Sequence, residues 1–188
     1  MKIKKPPSTA LYPCPIILLT CLDAQGSANI ITLAWTGTVC SNPPMIGFSI
    51  RPNRYSFSLL QESVEVVANI PSATIVKQTD FCGIVSGRNL DKFAQTGLSP
   101  EPADLVKPPL TSECPVNLEC IIKNRVNLGS HYLFLAEIIQ VHVNADILTE
   151  AGRINFTQAS PIVYNQGEYW NLKEQIGRHG FSKQETTH

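Results

Sequence analysis

The sequence is poor in charged and aromatic residues and has no long apolar run. Charged residues make up 16% and aromatic residues 7% of the 188 residues, and 15 Lys and Arg balance 15 Asp and Glu. A nucleic-acid-binding protein would need an excess of basic residues and exposed aromatic side chains, so we expect no nucleic-acid partner. No apolar stretch approaches the ~20 residues of a membrane-spanning helix, so we expect no membrane association either.

Several sequence motifs are also missing. No G-x-G-x-x-G motif follows a predicted strand, which argues against a Rossmann domain. The six cysteines form no C-x-x-C pair and do not cluster with histidines, so we predict no metal site. Residues 1–10 contain lysine and proline but no apolar segment typical of a signal peptide. We therefore expect free, mostly buried thiols and a cytoplasmic location.

The apolar content of the chain is sufficient for one folded domain. Hydrophobic residues make up 43% of the chain, and we predict a single domain over 1–188 with its core in 11–170. Apolar and polar residues alternate over 116–123, which predicts a half-buried strand with Asn117 and Glu119 on its polar face. The predicted strands are 16–22, 29–35, 45–50, 64–70, 116–123, 132–145, 162–164 and 169–170. Residues 127–131 are predicted to join two of them as a hairpin turn that contains Gly129.

Short helices and one proline-rich loop separate the predicted strands. Ser56 is predicted to cap a short helix, and Pro71 to start a second helix that ends at Gly83. A third helix is predicted at 90–96, followed by a proline-rich loop at 98–111. The pattern predicts an α+β protein, mainly antiparallel β, whose sheet closes into a small barrel.

The segment from Asn29 to Ser56 is the most informative part of the chain. Two apolar strand-like runs flank a short polar break, and a turn with arginines and a serine closes the segment. This arrangement suits a flat amphipathic cofactor with a phosphate group at one end. A helix that starts at Ser56 strengthens the interpretation, because helix N-termini attract phosphate. We interpret the segment as part of a flavin mononucleotide (FMN) site.

This segment and several later ones resemble a known family. The matching stretches are 29–37, 41–45, 51–56, 80–83, 86–93, 129–131 and 161–167, together with Trp170. Each stretch alone is weakly specific, but their order and spacing over 11–170 are similar to those of the flavin reductase-like family, and within it of the flavoredoxin branch. The resemblance implies an FMN-binding split β-barrel with short inserted helices.

The resemblance also implies which residues bind the cofactor. At the phosphate end it indicates Arg51, Ser56 and Lys92, with Arg54 and Tyr55 alongside. Such residues offer the cations and the hydroxyl donor that a phosphate needs. Beside the flavin ring it places Asn29, Thr32, Ala34, Trp35 and Thr36. Backbone N–H groups near Thr36, Cys40 and Ser41 are expected to reach N5 and the carbonyl edge of the ring.

Taken singly, several of these residues have a simpler explanation. Arg51 and Arg54 would fit a solvated turn, and Trp35 would fit a core aromatic at a strand end. The Cys40 thiol could tune or react with a flavin, but no basic neighbour in the sequence would activate it. The assignments therefore depend on the whole pattern and not on any one residue.

His131 is the candidate catalytic residue, because the family's histidine at this position lies near the flavin or nicotinamide pocket. It is preceded by Gly129 and Ser130, where many family members have Gly-Asp-His, and the lost acid weakens a proton-relay role. The alternative is a solvated histidine in a turn. The remaining histidines are predicted to lie at the surface: His142, His179 and His188.

The sequence leaves two functions open. The first is an FMN-dependent oxidoreductase or electron-transfer protein, with NAD(P)H or a redox protein as the electron donor. The second is a carrier or sensor module that binds FMN without turnover. The resemblance further implies a homodimer with FMN near the subunit interface, for which the loop 98–111 and the C-terminal hairpin are the candidate contact regions.

Overall fold

Antiparallel strands dominate the chain, of which the computed structural model describes residues 1–186. The strands are β1 Cys14–Pro15, β2 Ile17–Leu22, β3 Ala28–Leu33, β4 Thr36–Ser41, β5 Pro44–Ile50, β6 Glu65–Ile70, β7 Pro100–Glu101, β8 Leu110–Thr111, β9 Val116–Asn127, β10 Tyr132–Val143, β11 Ile162–Asn165 and β12 Glu168–Asn171. The α-helices are α1 Tyr55–Glu62, α2 Val76–Ile84, α3 Lys92–Thr96 and α4 Phe156–Ala159. Short 3₁₀ segments are Ala73–Ile75, Ala145–Ile147 and Phe181–Thr186. The predicted α+β class with mainly antiparallel strands is confirmed.

Seven strands form one antiparallel sheet in the order β3-β2-β6-β9-β10-β5-β4. Its two edge strands, β3 and β4, follow each other in the chain and are joined by Ala34 and Trp35 alone. Because Leu33 and Thr36 are three residues apart and therefore at most about 11 Å from each other, the edges must come close at this point, and the sheet curls into a barrel that is open elsewhere. Register shifts between Leu135 and Ala136 and between Ile138 and Gln140 mark irregularities in β10 that favour this bending.

The hairpin turns are set by local side-chain chemistry. Between β2 and β3, the Asp23 carboxylate accepts hydrogen bonds from the N–H groups of Gln25 and Ser27 at 2.9 and 2.8 Å. Between β9 and β10, Gly129 has a φ of 96° and the Asn127 side chain accepts from its N–H at 2.9 Å. Glycine adopts this left-handed conformation without steric cost. The predicted hairpin at 127–131 is confirmed.

The main core fills the inside of the curled sheet. The rings of Phe48 and Phe134 stack at 5.4 Å with an interplanar angle of 4°, and both side chains are fully buried. Leu60 of α1 is also fully buried in this cluster, which closes one end of the barrel. A second cluster, which includes Ile30 and Cys82, lies between the outer face of the sheet and the helices α2 and α3. These helices therefore cover the sheet next to β3.

The proline-rich loop 98–111 covers the outer face of β6 and β9. The Glu119 side chain is fully buried there, and its carboxylate accepts from the N–H groups of Asp104, Leu105 and Val106 at 2.7–2.9 Å. It also contacts Nε2 of His142. The prediction that Glu119 lies on an exposed polar face is therefore wrong, whereas His142, which was predicted to lie at the surface, is partly exposed and contacts Glu119. The alternation of β9 was misleading because the loop covers the strand's polar face, where Asn117 is buried as well.

Three element boundaries also differ from the predictions. The predicted strand 29–35 ends at Leu33, and a further strand, β4, follows Trp35 where no strand was predicted. Ser56 is not a helix cap, because α1 begins at Tyr55 and the Ser56 hydroxyl accepts a hydrogen bond from Asn29 instead. Gly83 does not end α2, which continues to Ile84.

Gly83 has a packing role in place of the predicted capping role. A Cβ atom at this position would lie 3.2 Å from Cβ of Thr32, so glycine permits the close approach of α2 to β3. Thr32 strengthens that approach by donating a hydrogen bond to the carbonyl oxygen of Thr79. The glycine at position 83 is therefore explained by the contact of α2 with β3 and not by the end of the helix.

Cysteines and histidines complete the comparison with the sequence. All six cysteines are free, and four of them are buried: Cys21, Cys82, Cys114 and Cys120. His179 is exposed as predicted, and His188 lies outside the described residues. Over residues 1–186, no helix is both long and apolar enough to cross a bilayer.

Candidate cofactor site

Two adjoining cavities lie where the edges of the sheet meet. We call the first the ring cavity, because it receives residues that were predicted to lie beside the flavin ring. It has a volume of about 290 Å³ and is lined by β3, the β3–β4 junction, the end of β5, Tyr12 and Tyr164. We call the second the phosphate cavity, because it receives Ser56 and Lys92, which were predicted at the phosphate end. It is smaller, about 60 Å³, and lies between the start of α1, the end of α2 and the start of α3. Ile31 and Arg54 line both cavities, so the two lie directly next to each other.

The ring cavity has aromatic walls. The rings of Trp35 and His131 lie 4.6 Å apart, and the N–H of Ser49 donates to the carbonyl oxygen of Trp35 at 2.9 Å, which fixes the β3–β4 junction. Tyr12 and Tyr164 contribute to the lining, with their rings 6.1 Å apart. Flat walls of this kind suit a planar ligand.

Sequence reasoning missed both tyrosines of the ring cavity. Tyr164 belongs to a stretch that was recognised as similar to the family, so its position in β11 could have suggested the contact. Tyr12 precedes β1 and gives no signal of its own, because its place depends on the antiparallel pairing of β1 with β11. That pairing joins Cys14 to Tyr164 across 150 residues of chain.

The electrostatics of the ring cavity favour a neutral His131. Burial lowers the pKa of its imidazole, and the nearby Arg51 guanidinium lowers the pKa further. The Ser130 hydroxyl lies 2.9 Å from Nδ1. If the hydroxyl donates to Nδ1, the remaining ring proton is on Nε2, where it is available as a hydrogen-bond donor.

The phosphate cavity contains a buried cation. Lys92 is only 4% exposed, and its ammonium donates to the carbonyl oxygens of Ile30 and Cys82, each at 2.8 Å. None of the ion pairs found in the described part of the chain involves Lys92. Burial lowers the pKa of this amine, although the Cys82 thiol opposes the shift. A buried ammonium with no carboxylate beside it is expected to attract an anion.

A hydroxyl and an amide complete the phosphate cavity. The Asn29 side chain donates to Oγ of Ser56 at 2.8 Å, so the Ser56 proton remains available for an anion. Within residues 1–186, the buried Oδ1 of Asn29 has no hydrogen-bond partner. It faces Gly87, where a Cβ atom would lie only 2.0 Å from it. The cavity is therefore closed by backbone at this point, which allows a ligand to approach main-chain N–H groups.

The structure brings most of the predicted residues together but divides them between the two cavities. The ring cavity receives Thr32, Ala34, Trp35, Arg51, Arg54 and His131. The phosphate cavity receives Arg54, Tyr55, Ser56 and Lys92, with Asn29 supporting Ser56 from behind. Arg51 lines only the ring cavity, although sequence reasoning grouped it with the phosphate residues. Arg54 remains the one arginine that reaches both.

Besides Asn29, three predicted residues line neither cavity. Thr36 lines a neighbouring apolar groove of about 430 Å³. Cys40 and Ser41 lie at the far end of β4, paired with Met45 and Pro44. Because a strand rises about 3.3 Å per residue, β4 carries these two residues well away from Trp35. Within one chain, neither residue lines the ring cavity.

Comparisons with known proteins agree with this architecture. The model of a family described as flavin reductase like domain matches residues 9–173. Flavoredoxin of Desulfovibrio vulgaris (Miyazaki F) has 31% sequence identity and a TM-score of 0.92, over 97% of this chain and 100% of that one. Flavoredoxin from Methanosarcina acetivorans has 28% identity and a TM-score of 0.90, over the whole of both chains.

A more distant structure shares the fold alone. It is a candidate flavin reductase with a split barrel domain from Shewanella frigidimarina, with 20% identity and a TM-score of 0.81 over 88% of this chain and 85% of that one. The predicted split-barrel architecture is thereby confirmed.

Proposed function

This chain belongs to the flavin reductase-like family of FMN-binding flavoproteins, and we propose that it holds one FMN across the two cavities and acts as an oxidoreductase. The observation that carries the proposal is Lys92, a buried ammonium without an ion-pair partner in a cavity of about 60 Å³. A phosphate group supplies the missing negative charge. The aromatic-walled ring cavity next to it accommodates the isoalloxazine.

The residues present fit FMN at both ends. Lys92 and the Ser56 hydroxyl donate to the phosphate, and Arg54 lies between phosphate and ring. Trp35 and Tyr164 would pack against the ring. When bound, FMN supplies the ability to accept two electrons and to pass them on singly or in pairs.

Two polar side chains of the ring cavity have roles in the chemistry. Arg51 places a positive charge beside the ring, which stabilises negative charge on it and raises its reduction potential. His131, held neutral by burial and by Arg51, offers an Nε2 proton in the same cavity. We assign His131 the role of hydrogen-bond donor in this cavity, through Nε2 when the Ser130 hydroxyl donates to Nδ1.

The electron donor is tested by anaerobic reduction of the purified protein. The visible spectrum should show bound flavin, and prompt bleaching by NADH or NADPH would support an NAD(P)H-dependent oxidoreductase. A preparation that is colourless and stays colourless in excess FMN would contradict the proposal as a whole. Bleaching by dithionite alone would contradict the nicotinamide donor.

The second candidate function is an electron carrier. It is favoured by the similarity over nearly the whole chain to two proteins described as flavoredoxins. In this case the donor is a redox protein, and the bound flavin is bleached by a reduced ferredoxin but not by NAD(P)H. A module that senses flavin without turnover would bind FMN, but neither NAD(P)H nor a reduced ferredoxin would bleach the bound flavin.

We also propose that the protein is a homodimer. The strand β4 pairs with β5 on one side and is the edge strand of the described sheet on the other. Val39 on this strand is 53% exposed and lies beside the apolar groove that Trp35 and Leu133 line. A second copy would cover this surface. In the loop 98–111, Val106 and Leu110 are buried against their own sheet and Leu105 alone of the large apolar residues is exposed, so we place the main contact on β4. The molar mass in solution tests this assignment.

A further inference from the structure

One side of the phosphate cavity is formed by Gly87 and by the Asn29 side chain that contacts it, which we call the wall. Beyond the wall lies a third cavity of about 550 Å³, which is open to the surface. Tyr55 and Gly87 line both the phosphate cavity and this outer cavity. A ligand longer than a mononucleotide would have to pass this wall to continue from its first phosphate.

The wall is closed by direct contact between Gly87 and two neighbours. A Cβ atom at Gly87 would lie 2.0 Å from Oδ1 of Asn29 and 3.5 Å from Cε of Lys92. Asn29 cannot swing aside freely, because it is 6% exposed and its amide donates to Oγ of Ser56. The space between the two cavities is therefore filled at this point.

The charge beyond the wall opposes a second phosphate group. Asp23 and Asp91 both line the outer cavity. Each carboxylate is held by backbone N–H groups, Asp23 in the β2–β3 turn and Asp91 at the start of α3. Arg88 is the cation that lines this cavity, and its guanidinium lies 5.5 Å from the centre of the Tyr55 ring. A pyrophosphate that emerged here would meet two fixed negative charges.

We propose that the Gly87–Asn29 wall, with the carboxylates of Asp23 and Asp91 behind it, makes the site selective for a flavin mononucleotide over a flavin dinucleotide. Gly87 and Asn29 are then specificity-determining residues: they terminate the cavity after one phosphate group. The proposal rests on the proposed function, since it assumes that the phosphate of a flavin occupies the cavity around Lys92.

Calorimetric titration of the full-length apoprotein with three flavins tests the selectivity. Riboflavin lacks the phosphate, FMN carries one, and FAD carries two with an adenosine attached. We expect FMN to bind about 100-fold more tightly than FAD, which corresponds to about 2.7 kcal/mol. An FAD dissociation constant within threefold of that of FMN would overturn the proposal. If none of the three flavins binds, the proposed function itself fails.

The substitution Gly87→Ala tests the wall directly. The added methyl group displaces Asn29 and breaks its hydrogen bond to Ser56, so the dissociation constant of FMN should rise at least about tenfold. Riboflavin binding should stay within twofold, because the ring cavity is untouched. Gln61→Ala is the control, since Gln61 is exposed on α1 and lines none of the three cavities, so FMN binding should not change. Unchanged FMN binding in Gly87→Ala would refute the role of the wall.

The charge contribution is tested by Asp23→Asn combined with Asp91→Asn. Asparagine can accept the same backbone hydrogen bonds, so both turns keep their geometry. The ratio of FMN to FAD affinity should fall at least about threefold at low ionic strength and less at high salt, because screening weakens repulsion between exposed charges. A ratio that does not change at low salt would remove the carboxylates from the proposal.

Discussion

Replacing the buried lysine by methionine tests the phosphate cavity most directly. Methionine keeps the length and apolar body of Lys92 but removes its charge and its hydrogen-bond donors. The ammonium makes 2.8 Å hydrogen bonds to Ile30 and Cys82. Loss of these donors costs stability, but removal of a buried charge without an ion-pair partner offsets that cost. We therefore expect Lys92→Met to fold.

The effect on FMN binding follows from one lost contact. A hydrogen bond between an ammonium and a phosphate contributes about 1.5–3 kcal/mol. Because each 1.4 kcal/mol is a factor of about ten, the dissociation constant of FMN should rise about 10- to 150-fold. Riboflavin has no phosphate, so its dissociation constant should stay within about twofold of the wild-type value.

Calorimetric titration of the apoprotein with both ligands measures these constants. Lys77→Met is the matched control, because Lys77 is exposed on α2 and its substitution changes the net charge by the same amount. The pH adds a second arm. Burial lowers the pKa of the Lys92 amine, so it loses its charge at a lower pH than an exposed lysine does. The FMN affinity of the wild-type protein should therefore begin to fall at a lower alkaline pH than the ordinary pKa of lysine would predict. An FMN dissociation constant in Lys92→Met within threefold of wild type would refute the reasoning.

Two further predictions concern other titratable groups. Glu119→Gln should lower the free energy of unfolding by about 1–3 kcal/mol in urea titrations, because it replaces a buried carboxylate that accepts backbone hydrogen bonds by an amide whose NH₂ group cannot accept them; an unchanged free energy of unfolding would contradict this. Burial raises the pKa of Glu119, but hydrogen bonds from His142 and the loop outweigh it and lower the pKa below the usual 4.5. The stabilisation by this carboxylate is therefore present above pH 4.5 and is lost as the pH falls through the folded-state value. In NMR titrations of the apoprotein, His131 should show a pKa below 6.5, and Arg51→Gln should raise it; an unshifted value in the variant would remove Arg51 as a cause.

The sequence was sufficient to predict most elements and the general place of the site. Alternating apolar residues predicted β9, and Gly129 predicted the turn that follows it. Both signals act over a few residues, so they can be read without knowledge of the fold. The sequence did not predict β4, because its side chains are mostly polar or small and it lies at a sheet edge.

The pairing of distant residues explains what the sequence left undetermined. The alternation of β9 predicted an exposed Glu119, but the loop 98–111 covers this residue. Its carboxylate accepts hydrogen bonds from the N–H groups of Leu105 and Val106 in the loop. Tyr12 enters the ring cavity only because β1 pairs with β11 near the other end of the chain.

The sequence alone predicted the family and the antiparallel class, and it indicated most of the residues that line the two cavities. Only the tertiary structure decided how those residues are divided, with Arg51 beside the ring and Lys92 at the phosphate cavity. The reason is physical: strand periodicity and turns depend on near neighbours, whereas the charge environment of Lys92 depends on a carbonyl 62 residues away in β3. Desolvation and the absence of a carboxylate arise only when those segments pack together.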